Sequence, residues 1–352
     1  MPLLSPSQYR ELISGRRRGP VAAALRLGLR LAEVPYTWAV RWRNRRYDTG
    51  AAEIRRVQVP VISVGNLTLG GTGKTPMVEW LARWFRGQDT RVTVISRGYK
   101  AEAGAQNDEA LELEQKLPDV PHLQNPDRVA AAEVAVEELQ CELILLDDAF
   151  QHRRMGRDLD IVLIDALEPF GFGHVFPRGT LREPIGGLRR ADAVALSRAD
   201  MLEPSQREEI WQVVRRYSPG AACLEVTHAA RALVCASGRE TPLDSLADGP
   251  IAAFCGIGNP AGFRHTLRQG NYQVEDFREF PDHHNYNRAD VESLASWANR
   301  LDVDAVVCTY KDLVKLGVDH LGRRPLWAVV IGLDVLAGQD RLEARLLPLL
   351  PG

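Results

Sequence analysis

Short apolar runs rich in β-branched residues alternate with longer stretches of helical periodicity along most of this chain. VQVPVISV (57–64) reads as a strand, and the amphipathic stretch 76–85 beyond a glycine-rich loop reads as a helix. Further strands are expected at 91–95, 142–146, 159–164 and 192–196, with helices over 126–139 and 204–217. Such alternation implies an α/β fold, a mostly parallel sheet with helices on both faces. From about residue 229 a second series begins: strands at 251–255, 271–279, 304–308 and 326–331, with helices over 261–269 and 288–300. It reads as a smaller C-terminal α/β lobe. A hinge is expected within 227–250, where two short strands and a polar turn interrupt the pattern. The expected organisation is therefore a basic helical segment (1–56), a core (57–228) and a C-terminal lobe (229–352).

Composition narrows the class. At 352 residues, 45% hydrophobic and 26% charged, the chain can bury a large core without disulfides or a structural metal. Its five cysteines are scattered, with no pair at zinc-ligand spacing, which fits a reducing cytosol. The net charge of −2 conceals an asymmetry. Residues 1–56 hold twelve arginines against Glu11, Glu33, Asp48 and Glu53, a balance of +8 that leaves −10 for the remainder. The head has no uncharged run long enough to span a bilayer and no signal-peptide pattern. An arginine-rich helix bearing Trp38 and Trp42 suits an anionic membrane surface, although charge and amphipathicity alone fit nucleic-acid phosphates as well.

The sharpest chemical signal is GNLTLGGTGKTP (65–76), set between a strand and a helix. Glycines 70, 71 and 73 let backbone N–H groups of the loop Thr68, Leu69, Gly70, Gly71, Thr72 and Gly73 converge on phosphate oxygens, aided by the positive end of the following helix. Lys74 would bridge the β- and γ-phosphates, and the Thr75 hydroxyl would ligate Mg²⁺. This makes the core a P-loop NTPase-type sheet that takes a nucleoside triphosphate and Mg²⁺. Thr68 stands where the generic pattern has its first glycine. A second metal-side carboxylate is supplied by Asp147 and Asp148, which end the apolar run ELILL at the strand tip where ligands bind in open α/β sheets.

With VGNLTLGGTGKTP (64–76) stand SRGY (96–99), NDE (107–109), DDAFQHR (147–153), RGTLREP (178–184), GIGNP (256–260), FPDHH (280–284) and CTYKD (308–312). Together and in this order, these blocks resemble the tetraacyldisaccharide 4'-kinases, which phosphorylate the lipid A precursor at the cytoplasmic face of the bacterial inner membrane. That family's loop also carries Thr at the first Walker position. The chain departs from the family pattern at Ala149, Thr180 and Tyr310, where Gly, Pro and Glu are usual. The resemblance implies ATP and Mg²⁺ as cofactors, with Asp108 nearest the acceptor hydroxyl, His283 from the C-terminal lobe as its dyad partner, and Lys74 on the phosphates. Either dyad member can collect the hydroxyl proton. His284 is the neighbouring alternative to His283. Candidate substrate contacts are Ser96, Tyr99, Glu109, Arg128, Gln151, His152 and Arg182, with Arg153 and Arg178 as further basic candidates. The implied partners are an acylated glucosamine disaccharide 1-phosphate and an anionic membrane surface, with no nucleic acid and no obligate protein partner.

The rival reading is a GTP-dependent P-loop chaperone or regulator. SRAD (197–200) follows a strand and looks like a worn guanine-reading motif, with Arg198 in place of its lysine.

Overall fold

In the computed structural model, residues 6–98, 108–282 and 284–351 are described, with the side chains of 6, 7 and 108–111 left aside. The basic head forms two helices, α1 (Pro6–Ile13) and α2 (Pro20–Asp48). Pro20 opens α2, where its missing N–H has no partner to lose, and Arg45 and Arg46 sit at the negative end of its dipole. No helix among the described residues is long and apolar enough to cross a membrane.

The first half runs β1 (Val61–Asn66), α3 (Lys74–Arg86), β2 (Val92–Ser96), α4 (Asp108–Lys116), β3 (His122–Gln124), α5 (Arg128–Glu137), β4 (Leu143–Asp147), β5 (Leu159–Asp165), β6 (Ala193–Ser197) and α6 (Pro204–Tyr217). There follow β7 (Ala222–Val234), β8 (Glu240–Thr241), β9 (Pro250–Cys255), α7 (Pro260–Gln269), β10 (Gln273–Glu279), α8 (Arg288–Arg300), β11 (Ala305–Thr309), α9 (Tyr310–Leu316), β12 (His320–Leu321), β13 (Arg324–Ala337) and α10 (Gln339–Leu346). The strand expected at 57–64 starts only at Val61, because Pro60 lacks the N–H a ladder needs.

All the strands join one sheet, with the path β10-β9-β11-β13-β7-β6-β5-β1-β4-β2-β3. Neighbours along it are parallel except β7 and β13, which pair antiparallel over most of their length. This changes the expected organisation: the boundary between 228 and 229 falls inside β7, so the two halves share a sheet. The polar Thr227, His228 and Arg231 break the apolar alternation of β7, so its second half falls in the stretch expected as a hinge. Helices cover both faces. Met77, Val78 and Leu81 of α3 pack with Leu113 of α4 and Leu342 of α10 on one face, and α5 and α6 cover the other. In the C-terminal half, α8 and α7 cover opposite faces.

Strand β1 lies between β4 and β5, and the chain builds the sheet outward first past β4 and then past β5. The crevice at the C-terminal tip of β1 is thus the switch point of the sheet, where open α/β folds bind ligands.

Candidate active site

The loop 67–73 leaves β1 at that crevice and enters α3 at Lys74. Gly70 (φ 112°) and Gly73 (φ 87°) hold conformations that L side chains avoid. Gly73 has a second constraint, since a Cβ there would lie 2.4 Å from His228 Nε2 on β7. Thr68 is not among the positive-φ residues; it forms an antiparallel bridge with Leu181, so this position needs no glycine. The Leu69 N–H donates to Thr180 O at 2.7 Å, and the Arg182 N–H to Leu67 O at 2.7 Å. The RGTLREP segment therefore backs the phosphate loop as an added strand-like edge.

Asp147 is buried at the end of β4, in register with Val64 of β1. Asp148 follows in a left-handed conformation (φ 49°), a strained state for a non-glycine residue that turns its carboxylate back toward the loop. Lys74 Nζ lies 3.7 Å from Asp148 Oδ1, and Arg182 Nη1 donates to both its oxygens at 2.8 and 2.9 Å. Burial alone would raise the Asp148 pKa, but Lys74, Arg182 and Arg128 outweigh it and hold the group below the usual carboxylate range. It is ionised at neutral pH. Arg128 is buried at the first turn of α5, close enough to Asp147 and Asp148 to feel both charges.

Other candidates sit around this centre. Ser96 is buried at the tip of β2, hydrogen-bonded to His122 at 2.9 Å. Burial, then Arg128 and Arg157, lower the His152 pKa to about 4, so its imidazole is neutral. The Gln151 amide nitrogen is committed within the protein: Nε2 donates to Asn66 O at 2.9 Å and to Glu183 Oε1 at 3.0 Å. Arg153 binds Asp48 and the Asn44 carbonyl of α2, and Arg178 donates to Ile13 O. Both fasten the head and do not enter the crevice. Tyr99, His283 and the side chains of Asp108 and Glu109 lie outside the described residues. Among the described residues, α9 packs on α4, whose first residue is Asp108, and a Cβ on Gly258 would lie 2.9 Å from Asp282 Oδ2. His284 is engaged elsewhere, at 3.0 Å from Asp290 of the α8 cap.

Several residues that hold the site were not singled out from the sequence. Glu183, fully buried in the LREP block, accepts from Asn44, Gln151 and Arg190. Lys116, at the far end of α4, pairs with Glu79 of α3 at 3.1 Å and Glu112 at 3.0 Å, and donates to Ile331 O of β13. Tyr310 hydrogen-bonds Gln115 and lays its ring near Lys116. Asp312, the acid of CTYKD, accepts from the Gly256 N–H, Tyr286 and Thr309, and so fixes the GIGNP loop. Arg198 of SRAD pairs with Asp165 at 2.7 Å and donates to Gly71 O at 3.2 Å, while Asp200 is bound by His265 and Gln269 of α7. The motif that suggested a guanine reader instead buttresses the phosphate loop and ties it to the C-terminal half. Block position could have flagged Glu183, but nothing local marks Lys116, whose partners come from three elements.

The chemistry fits a magnesium–triphosphate. The loop is a cradle with open space above Gly71, the buried Thr72 Oγ1 has no hydrogen-bond partner, and oxygen donors are at hand in the buried Thr75 and Asp147 and in Asp148, which lies beside Lys74. Hard oxygen ligands completed by phosphates suit Mg²⁺. Among the described residues no cluster of three acidic, His or Cys side chains forms a protein-only metal cage.

Residues 25–350 match the family model described as Tetraacyldisaccharide-1-P 4'-kinase. A tetraacyldisaccharide 4'-kinase of Anaeromyxobacter dehalogenans (strain 2CP-1) is 39% identical, covering 94% of this chain and 92% of its own. One from Halothermothrix orenii is 35% identical over 83% of each. A crystal structure of LpxK from Aquifex aeolicus in complex with ATP superposes with a TM-score of 0.73 at 30% identity, covering 93% of this chain and all of that one.

Proposed function

The chain belongs to the tetraacyldisaccharide-1-P 4'-kinase family, and from that premise we propose how its residues divide the work of ATP-dependent phosphorylation of the 4'-hydroxyl of the lipid A precursor. The reaction is a phosphoryl transfer to a sugar alcohol, forming lipid IVA from an acylated glucosamine disaccharide 1-phosphate. Backbone N–H groups of 68–73 and the ammonium of Lys74 bind the phosphates, and Thr75, Asp147 and Asp148 hold the magnesium ion. The metal, when bound, neutralises charge on the β- and γ-phosphate oxygens. Asp148 is kept anionic by the three cations around it, so it is ready to bind metal at neutral pH. Arg128 and Arg182 order that carboxylate and present positive charge to the crevice.

Asp108, at the start of α4, receives the proton of the acceptor hydroxyl, with His283 orienting the carboxylate and sharing the proton. What supports this reading is a single juxtaposition: GIGNP residues Gly258 and Asn259 of the C-terminal half line the same hollow as Thr68–Thr72. Both halves thus meet at the phosphate loop. Helix α2 adds the membrane contact. Its face bearing Ala22, Glu33, Val40 and Asn44 docks on the core, while Leu27, Leu31, Val34, Trp38 and Trp42 form an exposed stripe on roughly the opposite side. That stripe, with Arg41, Arg45 and Arg46 beside it, is suited to the headgroup layer of the inner membrane's cytoplasmic face.

The test is steady-state kinetics with the acylated disaccharide 1-phosphate beside direct ATP-binding measurements. Asp108→Ala and His283→Ala should each lower kcat by about 10²-fold or more with ATP binding retained, whereas Lys74→Ala should lose ATP binding. Unchanged turnover in both dyad variants, or a preference for GTP with no stimulation by the lipid, would refute the assignment.

A further inference from the structure

Helix α1 precedes the stretch 25–350 that the family model matches, yet it is firmly docked. Leu12 and Ile13 are buried, the Tyr9 hydroxyl donates to Pro177 O at 2.7 Å, and Arg178 Nη1 donates to Ile13 O at 2.9 Å. The start of α2 reinforces the seat, because Arg26 Nη1 donates to Arg17 O at 2.7 Å in the connection between the helices. These contacts deliver one side chain to the phosphate loop. Arg10 Nε lies 3.3 Å from Glu168 Oε1 just beyond β5, and its Nη1 donates to Gly258 O at 3.4 Å. A Cβ built on Gly70 would lie 4.0 Å from Arg10 Nη2. The guanidinium therefore stands at the rim of the hollow lined by the loop, touching the C-terminal half on its other side.

From this geometry we propose that Arg10 is a nucleotide-binding residue, a guanidinium supplied by the N-terminal segment to the phosphate chain of the bound nucleoside triphosphate. Its present contacts are one carboxylate oxygen at a half-exposed position and one long bond to a carbonyl, so most of its five donors are uncommitted. An exposed ion pair of this kind contributes little and is readily exchanged, whereas a guanidinium meeting phosphate oxygens makes charge-assisted, forked hydrogen bonds. Gly70 has no side chain to block the approach. An arginine brought to the phosphates in cis is a recurrent device of P-loop enzymes. The inference rests on the reading of 68–75 as the ATP site. The same chemistry would also suit a lipid headgroup phosphate, and the experiment separates the two.

Full-length wild type, Arg10→Ala, Arg10→Lys and Lys74→Ala are compared by calorimetric titration with MgATP in the absence of lipid, by sedimentation with phosphatidylglycerol vesicles, and by steady-state kinetics. Arg10→Ala should weaken MgATP binding about 10-fold and raise KM for ATP to match, with KM for the lipid acceptor and vesicle binding unchanged. Arg10→Lys, which keeps the charge and loses the fork, should fall between. MgATP affinity equal to wild type in Arg10→Ala overturns the proposal, and a fall confined to vesicle binding would assign Arg10 to headgroup phosphate instead. If Lys74→Ala binds MgATP as well as wild type, it is the reading of the loop that fails.

Discussion

Replacing Glu183 by alanine should destabilise the protein more than any nearby surface change, for a reason that can be worked through. Its side chain is 1% exposed, and both oxygens are fully used. Oε1 accepts from Gln151 at 3.0 Å and Arg190 Nη2 at 2.8 Å, and Oε2 from Asn44 at 2.9 Å and Arg190 Nη1 at 3.0 Å. The Arg190 guanidinium, 12% exposed, lies 4.3 Å above the Phe150 ring and cannot reach bulk water without leaving that stack. Truncating the carboxylate strands the cation, which costs about 3–5 kcal/mol for a buried pair broken on one side. With an unfolding entropy of about 2.1 cal/mol/K per residue, the 352-residue chain gains about 0.7 kcal/mol/K, so the melting temperature should fall by about 4–7 °C. Differential scanning calorimetry on the full-length, nucleotide-free protein reads this directly. Glu183→Gln, which keeps the shape and one acceptor, should lose less. A shift below about 1 °C for Glu183→Ala would show that Arg190 finds other partners, and the argument from one-sided burial would be wrong.

Two further predictions follow from the head and from β7. Burial, reinforced by Arg198, holds the His228 imidazole down at about 3 against an ordinary value of 6.5, so the unfolded chain takes up that proton first. Its contribution is intact above about pH 6.5 and is lost as pH falls toward 3, amounting to about 2 kcal/mol by pH 5; urea titrations at pH 7 and pH 5 should show a smaller loss in His228→Asn, and an identical loss would contradict the assignment. Trp38 and Trp42 are 68% and 54% exposed on α2. The double change to Glu should reduce partition onto anionic vesicles at least about 10-fold, since burying each ring contributes about 1.5–3 kcal/mol, and equal sedimentation would remove α2 as the contact.

Much of this molecule is legible in its sequence because the signals are local. All nine expected strands and all five expected helices overlap observed elements, since each has its own periodicity and its own turn. The loop 65–76 and the pair Asp147–Asp148 were readable for the same reason, as a glycine pattern and a strand tip. What was hidden depends on distant partners. Strand β7 pairs antiparallel with β13, about a hundred residues later, so its mixed interior gave no sign that it joins two halves. Gln151 sits in a block that pointed toward phosphate, yet the carboxylate that captures it comes from Glu183. Arg198 kept the place of a base-reading lysine while its charge was taken over by Asp165.

The two-sided character of α2 sets a length scale. A helix with its side chains is about 10–12 Å across, and here one flank bears on Arg182 and Glu183 through Tyr36 and Asn44 while the other carries the tryptophans. On a bilayer, the cradle's backing would ride only about one such diameter above the headgroups. A glycolipid would then need to lift little more than its sugars to be reached, leaving its hydrocarbon tails in place, and the helix would serve as the spacer that measures that climb.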